Sequence, residues 1–340
     1  FDNVQVVAAG HPFSSGAYDY TANDGKTSDD AHVTIAGQNG ATVTGTDANE
    51  ILIASDRHVQ VDATVHSGDT KSANANDAFS FHFTGDANDV SITQIKIDVS
   101  GIGHFDQGNG GRDFELGSNS DVTPTSWTSG DTDVLTIDFA PGAFTAGETL
   151  RFGIDTDGTG GHDLDNGGDF GDEHVPFTVT LSDGTILSGV YQSDGNASEA
   201  TFTSDLGSSL FGEGGDDYLV SSAAADNLTG GTGADHFFYN APSDGNDAIH
   251  DFSHAEGDTI DVLLSNFTGL SAKGPIADAD FVVDNNADTV NLGGAHFAYN
   301  DTTGQLYYDG DGGDAGQRLL LATIENHGAA NLQAGDIHAV

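Results

Sequence analysis

The chain of 340 residues contains no cysteine and no methionine, one tryptophan, and only 8 lysine or arginine residues against 54 aspartate or glutamate. Without cysteine there is no disulfide framework and no thiolate-ligated zinc or iron–sulfur centre. The scarcity of cationic side chains argues against nucleic acid and anionic membranes as partners, since phosphates are held by Lys and Arg that replace their counterions. No apolar run reaches the ~18–20 residues of a membrane span, and no amino-terminal signal peptide is recognisable. With Phe at position 1 and no Met, the sequence reads as a piece or mature form of something longer. The zinc-protease pattern H-E-x-x-H is missing despite 14 histidines. G-x-S-x-G, P-loop and dinucleotide fingerprints are missing too, and the expectation is a non-enzyme.

What the sequence has in abundance is acid, with a formal net charge of −46. Self-repulsion on that scale opposes compaction. One reading is a halophilic or disordered acidic chain. Disorder fits poorly with 20 Phe and 8 Tyr set among alternating Val, Ile and Leu. The other reading is that hard divalent cations neutralise the carboxylates. Ca²⁺ takes six to eight oxygens from Asp, Asn and carbonyls, and much of the Asp here sits beside Gly in turns.

Strand signals dominate. Phe79-Ser80-Phe81-His82-Phe83, Ile95–Val99, Leu135–Phe139 and Phe177–Leu181 all alternate apolar with polar residues. Asp183-Gly184 between Phe177–Leu181 and Ile186–Tyr191 marks a hairpin. The fold class expected is all-β: an antiparallel β-sandwich, then a short parallel β-roll binding calcium, then a β-rich carboxy-terminal domain. The boundaries read as a connector over 1–40, the sandwich over 41–206 and the roll with the terminal domain over 207–340.

The most specific signal is a nine-residue repeat. Gly212-Glu213-Gly214-Gly215-Asp216-Asp217-Tyr218-Leu219-Val220 is followed by 221–229 and then by Gly230-Gly231-Thr232-Gly233-Ala234-Asp235-His236-Phe237-Phe238. Asp217, Asp226 and Asp235 recur every ninth position, each with an apolar residue two places on. Glycine gives turns that expose carbonyls, Asp an anionic oxygen, and the apolar residue a core. The candidate ligands are Gly212, Gly214, Asp217, Asp226, Gly231, Gly233 and Asp235, although the middle repeat has lost its glycines. Asp244, Asp247, Asp251, Asp258 and Asp261 in the following segment join them. His236, His250 and His254 read as surface or turn residues.

This pattern resembles the calcium-binding nonapeptide repeat of RTX proteins. Gly230–Leu264, Gly304-Gln305-Leu306-Tyr307-Tyr308-Asp309 and the closing Asp336-Ile337-His338-Ala339-Val340 resemble the carboxy-terminal type I secretion domain of serralysin-type proteases. The resemblance implies export by the type I secretion machinery of a Gram-negative-type bacterium, with folding outside the cell where calcium is millimolar. It implies the carboxy-terminal part of a large adhesin or surface-layer-type protein. Tyr18–Gly25 and Ala31–Ile35 resemble the closing hairpin of the cadherin-like repeats in bacterial adhesins. Gly45-Thr46-Asp47-Ala48-Asn49-Glu50-Ile51-Leu52 resembles a degenerate single RTX turn, to which no function is assigned.

Two further features lie in the sandwich. Asp155, Asp157, Asp163, Asp165 and Asp169 form an acidic, Gly-rich stretch that lacks EF-hand spacing. It is either a second calcium site or a solvated loop. The loop His104–Asp113 holds His104, Asn109, Arg112 and Asp113, which suit a carboxylate or sugar hydroxyls. Arg112 pairing with a neighbouring Asp is the plainer role. Trp127 offers either a stacking face for a sugar or core packing. The function expected is therefore adhesion to a surface glycan or protein with Ca²⁺ as cofactor. The alternatives are a self-associating surface layer or fibre, and the secretion module of a hydrolase encoded upstream.

Overall fold

The computed structural model describes residues 16–23, 28–35, 42–47, 49–54, 57–66, 77–85, 87, 89–107, 113–162, 164, 166–313 and 318–340, with backbone alone for 16–35. The chain is all-β. Among the described residues the α-helices, Asp169–Asp172 and His327–Ala330, have four residues each. It divides into two compact units: Arg57–Asp205, and a second made of Phe1–Asp56 with Leu206–Val340.

The first unit is an antiparallel sandwich. Five strands run in the order Ser126–Trp127, Val134–Asp138, Ile92–Asp98, Pro176–Leu181, Ile186–Val190. Six others run Gln192–Asp194, Ala197–Leu206, Arg57–Val65, Phe79–Gly85, Thr149–Gly153, Glu115–Leu116. Alternation decides which face is buried. Val59, Val61, Ala63 and Val65 point inward with Phe81 and Phe83, against Ile95, Ile97, Leu135, Ile137 and Val179. Phe81 meets Phe177 edge-on at 5.4 Å, joining the two sheets through the core. The Asp183-Gly184 turn closes the expected hairpin, with Gly184 at φ 92°. Gly103–Asp106 and Asp155–Gly158 form a separate two-stranded ribbon.

In the second unit the chain alternates between two eight-stranded sheets whose central strands run parallel. Thr42–Thr44, Ser209–Phe211, Asn227–Thr229, Asp247–Ile249 and Leu319–Ile324 pair in parallel in one. Glu50–Ile53, Tyr218–Val220, His236–Tyr239, Thr259–Val262 and Ile337–Ala339 pair in parallel in the other. Successive strands alternate sheets, so the segment winds as a coil. Each strand points an apolar residue between the sheets: Val43, Leu52, Leu210, Leu219, Leu228, Phe237, Ile249 and Ile260 belong to one buried cluster, to which Tyr239 and Val262 add a second residue from their strands. The residue two places after each repeat Asp is thus a core residue.

This arrangement moves the boundary drawn at residue 41. Residues 42–54 are a turn of the coil, in register with 209–220, so the sandwich is inserted into the coil rather than placed ahead of it. Ser28–Ile35 pairs in parallel with Glu50–Ile53, and Gly16–Asn23 pairs with Ser28–Ile35 as an antiparallel hairpin, so these strands of the expected connector extend the same sheet.

Candidate metal centre

Each passage between sheets is a short turn, and the turns stack along two edges of the coil. One edge carries 45–50, 212–217, 230–235 and 251–258. The other carries 221–226 and 240–247, and it is where the chain leaves at Ala54 and returns at Ser208.

On the first edge a ladder of carboxylates runs from turn to turn. Glu50 N donates to Asp217 Oδ1 at 2.7 Å, Asp217 N to Asp235 Oδ1 at 2.9 Å, and Asp235 N to Asp258 Oδ1 at 3.0 Å. Asp217 and Asp235 are buried, at 0% and 1% exposure. The second oxygen of each, Oδ2, has no hydrogen-bond partner among the described residues. Those oxygens face glycines. A Cβ at Gly212 would collide with Asp217 Oδ2 and the Gly230 carbonyl oxygen, and one at Gly230 would collide with Asp235 Oδ2. Glycine therefore leaves a small space bounded by anionic and carbonyl oxygens. Gly231 at φ 100° and Gly233 at φ 135° adopt backbone that side chains disfavour. Asp251 lies against the same turn, accepting from Gly230 N at 2.9 Å and Gly231 N at 2.8 Å.

Burial of these acids without a compensating charge is costly. Desolvation pushes the Asp217 carboxyl up to about 7, Asp235 to about 6 and Asp258 to about 7, with neighbouring carboxylates adding to each rise. Backbone N–H donors offset only part of it. A hard cation among these oxygens removes the cause, and the donor set of carboxylate and carbonyl oxygen is that preferred by Ca²⁺. The residues present fit such an ion.

The other edge solves the problem differently. Asp226 Oδ1 accepts from Ser208 N at 2.5 Å, and its Oδ2 accepts from Ser222 N and Oγ at 2.8 and 2.9 Å. Asp247 Oδ1 accepts from Asp226 N at 2.8 Å, its Oδ2 is buried near the Tyr239 hydroxyl with no hydrogen-bond partner among the described residues, and burial raises the carboxyl to about 9. Asp244 caps a short 3-10 turn through Ala241 N at 2.9 Å. Asp261 sits on a strand, held by His236 Nδ1 at 2.9 Å and Thr259 Oγ1 at 2.8 Å. Asp226, Asp244, Asp247 and Asp261 are therefore not gathered with Asp217 and Asp235. His236, expected as a surface residue, is half-buried and stacked on Tyr218 at 4.0 Å.

In the sandwich, Asn109, Arg112, Asp163 and Asp165 lie outside the described residues. Asp155 and Asp157 pair across the ribbon with Asp106 and His104. Donor atoms of His104, Asp106 and Asp157 all lie within 4.8 Å of one another, so two residues expected in separate sites share one face. Asp169 Oδ2 accepts from Asn166 N at 2.8 Å and begins the short helix. Asp113 is exposed. Trp127 is 42% exposed and stacks on Phe114 at 4.6 Å, which in turn stacks on Phe152 in the core at 5.0 Å. It is a surface platform on an aromatic column rather than a core residue.

Sequence reasoning gave no role to Thr46, Glu50, Ser222 or Asp106. The spacing of Thr46 and Ser222 four residues before an acid was the available signal for the first three. No family model, curated protein or solved structure matches this chain.

Proposed function

We propose that this chain is a segment of an extracellular, calcium-dependent adhesin of the RTX kind, without enzymatic activity. The coil is its cation-stabilised frame, and the inserted sandwich is its binding part. The observation that carries the reading is the pair of buried oxygens, Asp217 Oδ2 and Asp235 Oδ2, unpartnered beside Gly212 and Gly230. Asp217, Asp235, Asp251 and the Gly230 carbonyl would hold Ca²⁺, which supplies the charge compensation that burial denies these acids. The chain's own contribution is the register of the ladder, which orients each Oδ1 toward a backbone N–H and leaves Oδ2 for the ion.

Such a frame suits export unfolded from a calcium-poor cytosol and folding outside, where modules of this type bind at ~10⁻⁴–10⁻³ M. In the sandwich, Trp127 presents an open aromatic face, the kind of surface on which a sugar ring stacks. The partner proposed is a surface glycan. The experiment is a glycan array probed with the whole chain in calcium and in EDTA. Binding that EDTA abolishes and Trp127→Ala weakens supports adhesion. Calcium-triggered assembly of the chain with itself, and no glycan bound, would replace adhesion by a surface-layer role.

A further inference from the structure

The turns between the two sheets are of two kinds, and the second residue of the turn distinguishes them. In 212–217 and 230–235 that residue has left-handed backbone, Glu213 at φ 73° and Gly231 at φ 100°, and the sixth-position Asp keeps an unpartnered Oδ2. In 45–50 and 221–226 it is Thr46 or Ser222, neither with positive φ. There both the N–H and the hydroxyl of the second residue donate to the sixth-position acid. Thr46 N reaches Glu50 Oε2 at 2.7 Å and Thr46 Oγ1 reaches Glu50 Oε1 at 3.0 Å. Ser222 does the same for Asp226 Oδ2. Glu in place of Asp at position 50 adds the methylene that lets the carboxylate bend back onto its own turn. A hydroxyl inside the turn thus provides what the glycine turns leave to an external charge.

The position of the two hydroxyl turns gives them a role. Both hold the strands on either side of the insertion. Glu50–Ile53 is the last strand before residues 57–205, and Ala54 N donates to Val220 O at 2.8 Å. The chain returns at Ser208, whose N–H is held by Asp226 Oδ1 and whose carbonyl accepts from Asn227 N at 2.8 Å. Glu50 N meets Asp217 Oδ1 across 167 positions of sequence.

We infer that turns 45–50 and 221–226 form a cation-independent clasp that keeps the two ends of the insertion joined to the coil, while 212–217 and 230–235 answer to calcium. The inference rests on the calcium reading above for its second half only. A binding unit carried this way keeps its anchorage when calcium falls.

Hydrogen exchange of the full chain, with saturating calcium and in EDTA, tests it. Removing calcium should speed exchange in 212–217 and 230–235 by roughly tenfold or more, the signature of local opening, and leave 42–53, apart from the Glu50 N–H that Asp217 holds, and 222–229 within about twofold. In EDTA, the double variant Thr46→Val with Ser222→Ala should speed exchange in 42–53 and 222–229 by roughly tenfold or more, the effect of one lost hydrogen bond to a carboxylate in each turn. Glu50→Gln should leave the number of calcium ions bound, read by titration calorimetry, unchanged. Loss of one ion in Glu50→Gln overturns the inference. So does wild-type 42–53 opening together with 212–217, or an unaltered exchange pattern in the double variant. If no segment responds to calcium at all, the calcium reading falls, and the double variant still decides the clasp.

Discussion

The two edges of the coil pose one physical problem and answer it in opposite ways. Both bury an acid at the sixth position of a short turn. On the edge of 212–217 and 230–235, glycines hold space open and the acid's outer oxygen is left without a donor. On the edge of 221–226, Ser222 closes on the acid and completes its hydrogen bonds. Buried carboxylates are tolerated when paired or fully hydrogen-bonded. The turns 212–217 and 230–235 therefore leave a carboxylate oxygen without a donor, whereas turn 221–226 does not. The nine-residue Asp period alone does not decide whether an acid is satisfied within its turn; the hydroxyl of Ser222, at the second residue, satisfies Asp226, while Asp217 and Asp235 keep an unpartnered oxygen.

The sharpest way to break the comparison is to remove an acid from each edge. Asp217→Ala with Asp235→Ala should abolish the calcium-dependent rise in melting temperature, a loss of about 2.7 kcal/mol per site when calcium stands at 100 times its dissociation constant. Asp226→Ala should lower stability by ~1–3 kcal/mol through unsatisfied N–H donors, with the calcium increment intact. Calorimetric melts in calcium and EDTA check both.

Gly212→Ala comes next. Its Cβ would occupy the space between Asp217 Oδ2 and Gly230 O, so calcium response should fall by about half. Stability in EDTA should drop by ~1–3 kcal/mol from overpacking. The same substitution at Gly130, where nothing lies within 4 Å, should leave calcium binding unchanged despite the strain of φ 78°. Calcium titration by calorimetry separates the two.

A pH series sharpens the contrast further. Desolvation raises Asp217 to about 7 and Asp235 to about 6, above the 3.8 of the unfolded carboxyl. Between those values the folded state binds more protons than the unfolded one, so the stability this contributes is full below pH 3.8 and is lost as pH rises through about 6–7. In EDTA, the urea midpoint should fall between about pH 4 and pH 7 as these acids ionise. In saturating calcium that fall should shrink or vanish. Asp247, raised to about 9, should add a shallower fall that runs on to about pH 9. The smallest structural effect is expected at Trp127→Ala. Being 42% exposed, it should cost under about 1 kcal/mol while removing the proposed sugar platform, as glycan binding would report.

Much of this was legible in the sequence. The strands around Phe81, Ile97, Ile137 and Val179 follow from local alternation, and the stacked turns that carry Asp217 and Asp235 from the Gly-Asp repeat. What escaped was nonlocal. Glu50–Ile53 pairs with Tyr218–Val220 across the whole sandwich, and a period read in local windows cannot span an insertion. With Thr46, Ala48 and Glu50 in place of the expected residues, the turn looked degenerate and the boundary fell at residue 41. The division of labour among acids was hidden for a related reason. Asp226 and Asp217 look alike along the chain, and only the turn's path brings Ser222 onto one of them. Likewise His104 and Asp157, far apart in sequence, become cross-strand neighbours.

The central claim is that the coil holds calcium through the Asp217 and Asp235 turns. Its most direct test is a calcium titration of the purified full chain, following circular dichroism with light scattering, and magnesium as control. The account predicts a cooperative gain of β-structure with calcium alone, at constant particle size, reversed by EDTA and absent in the Asp217→Ala, Asp235→Ala variant. An unchanged spectrum on adding calcium or EDTA would contradict it.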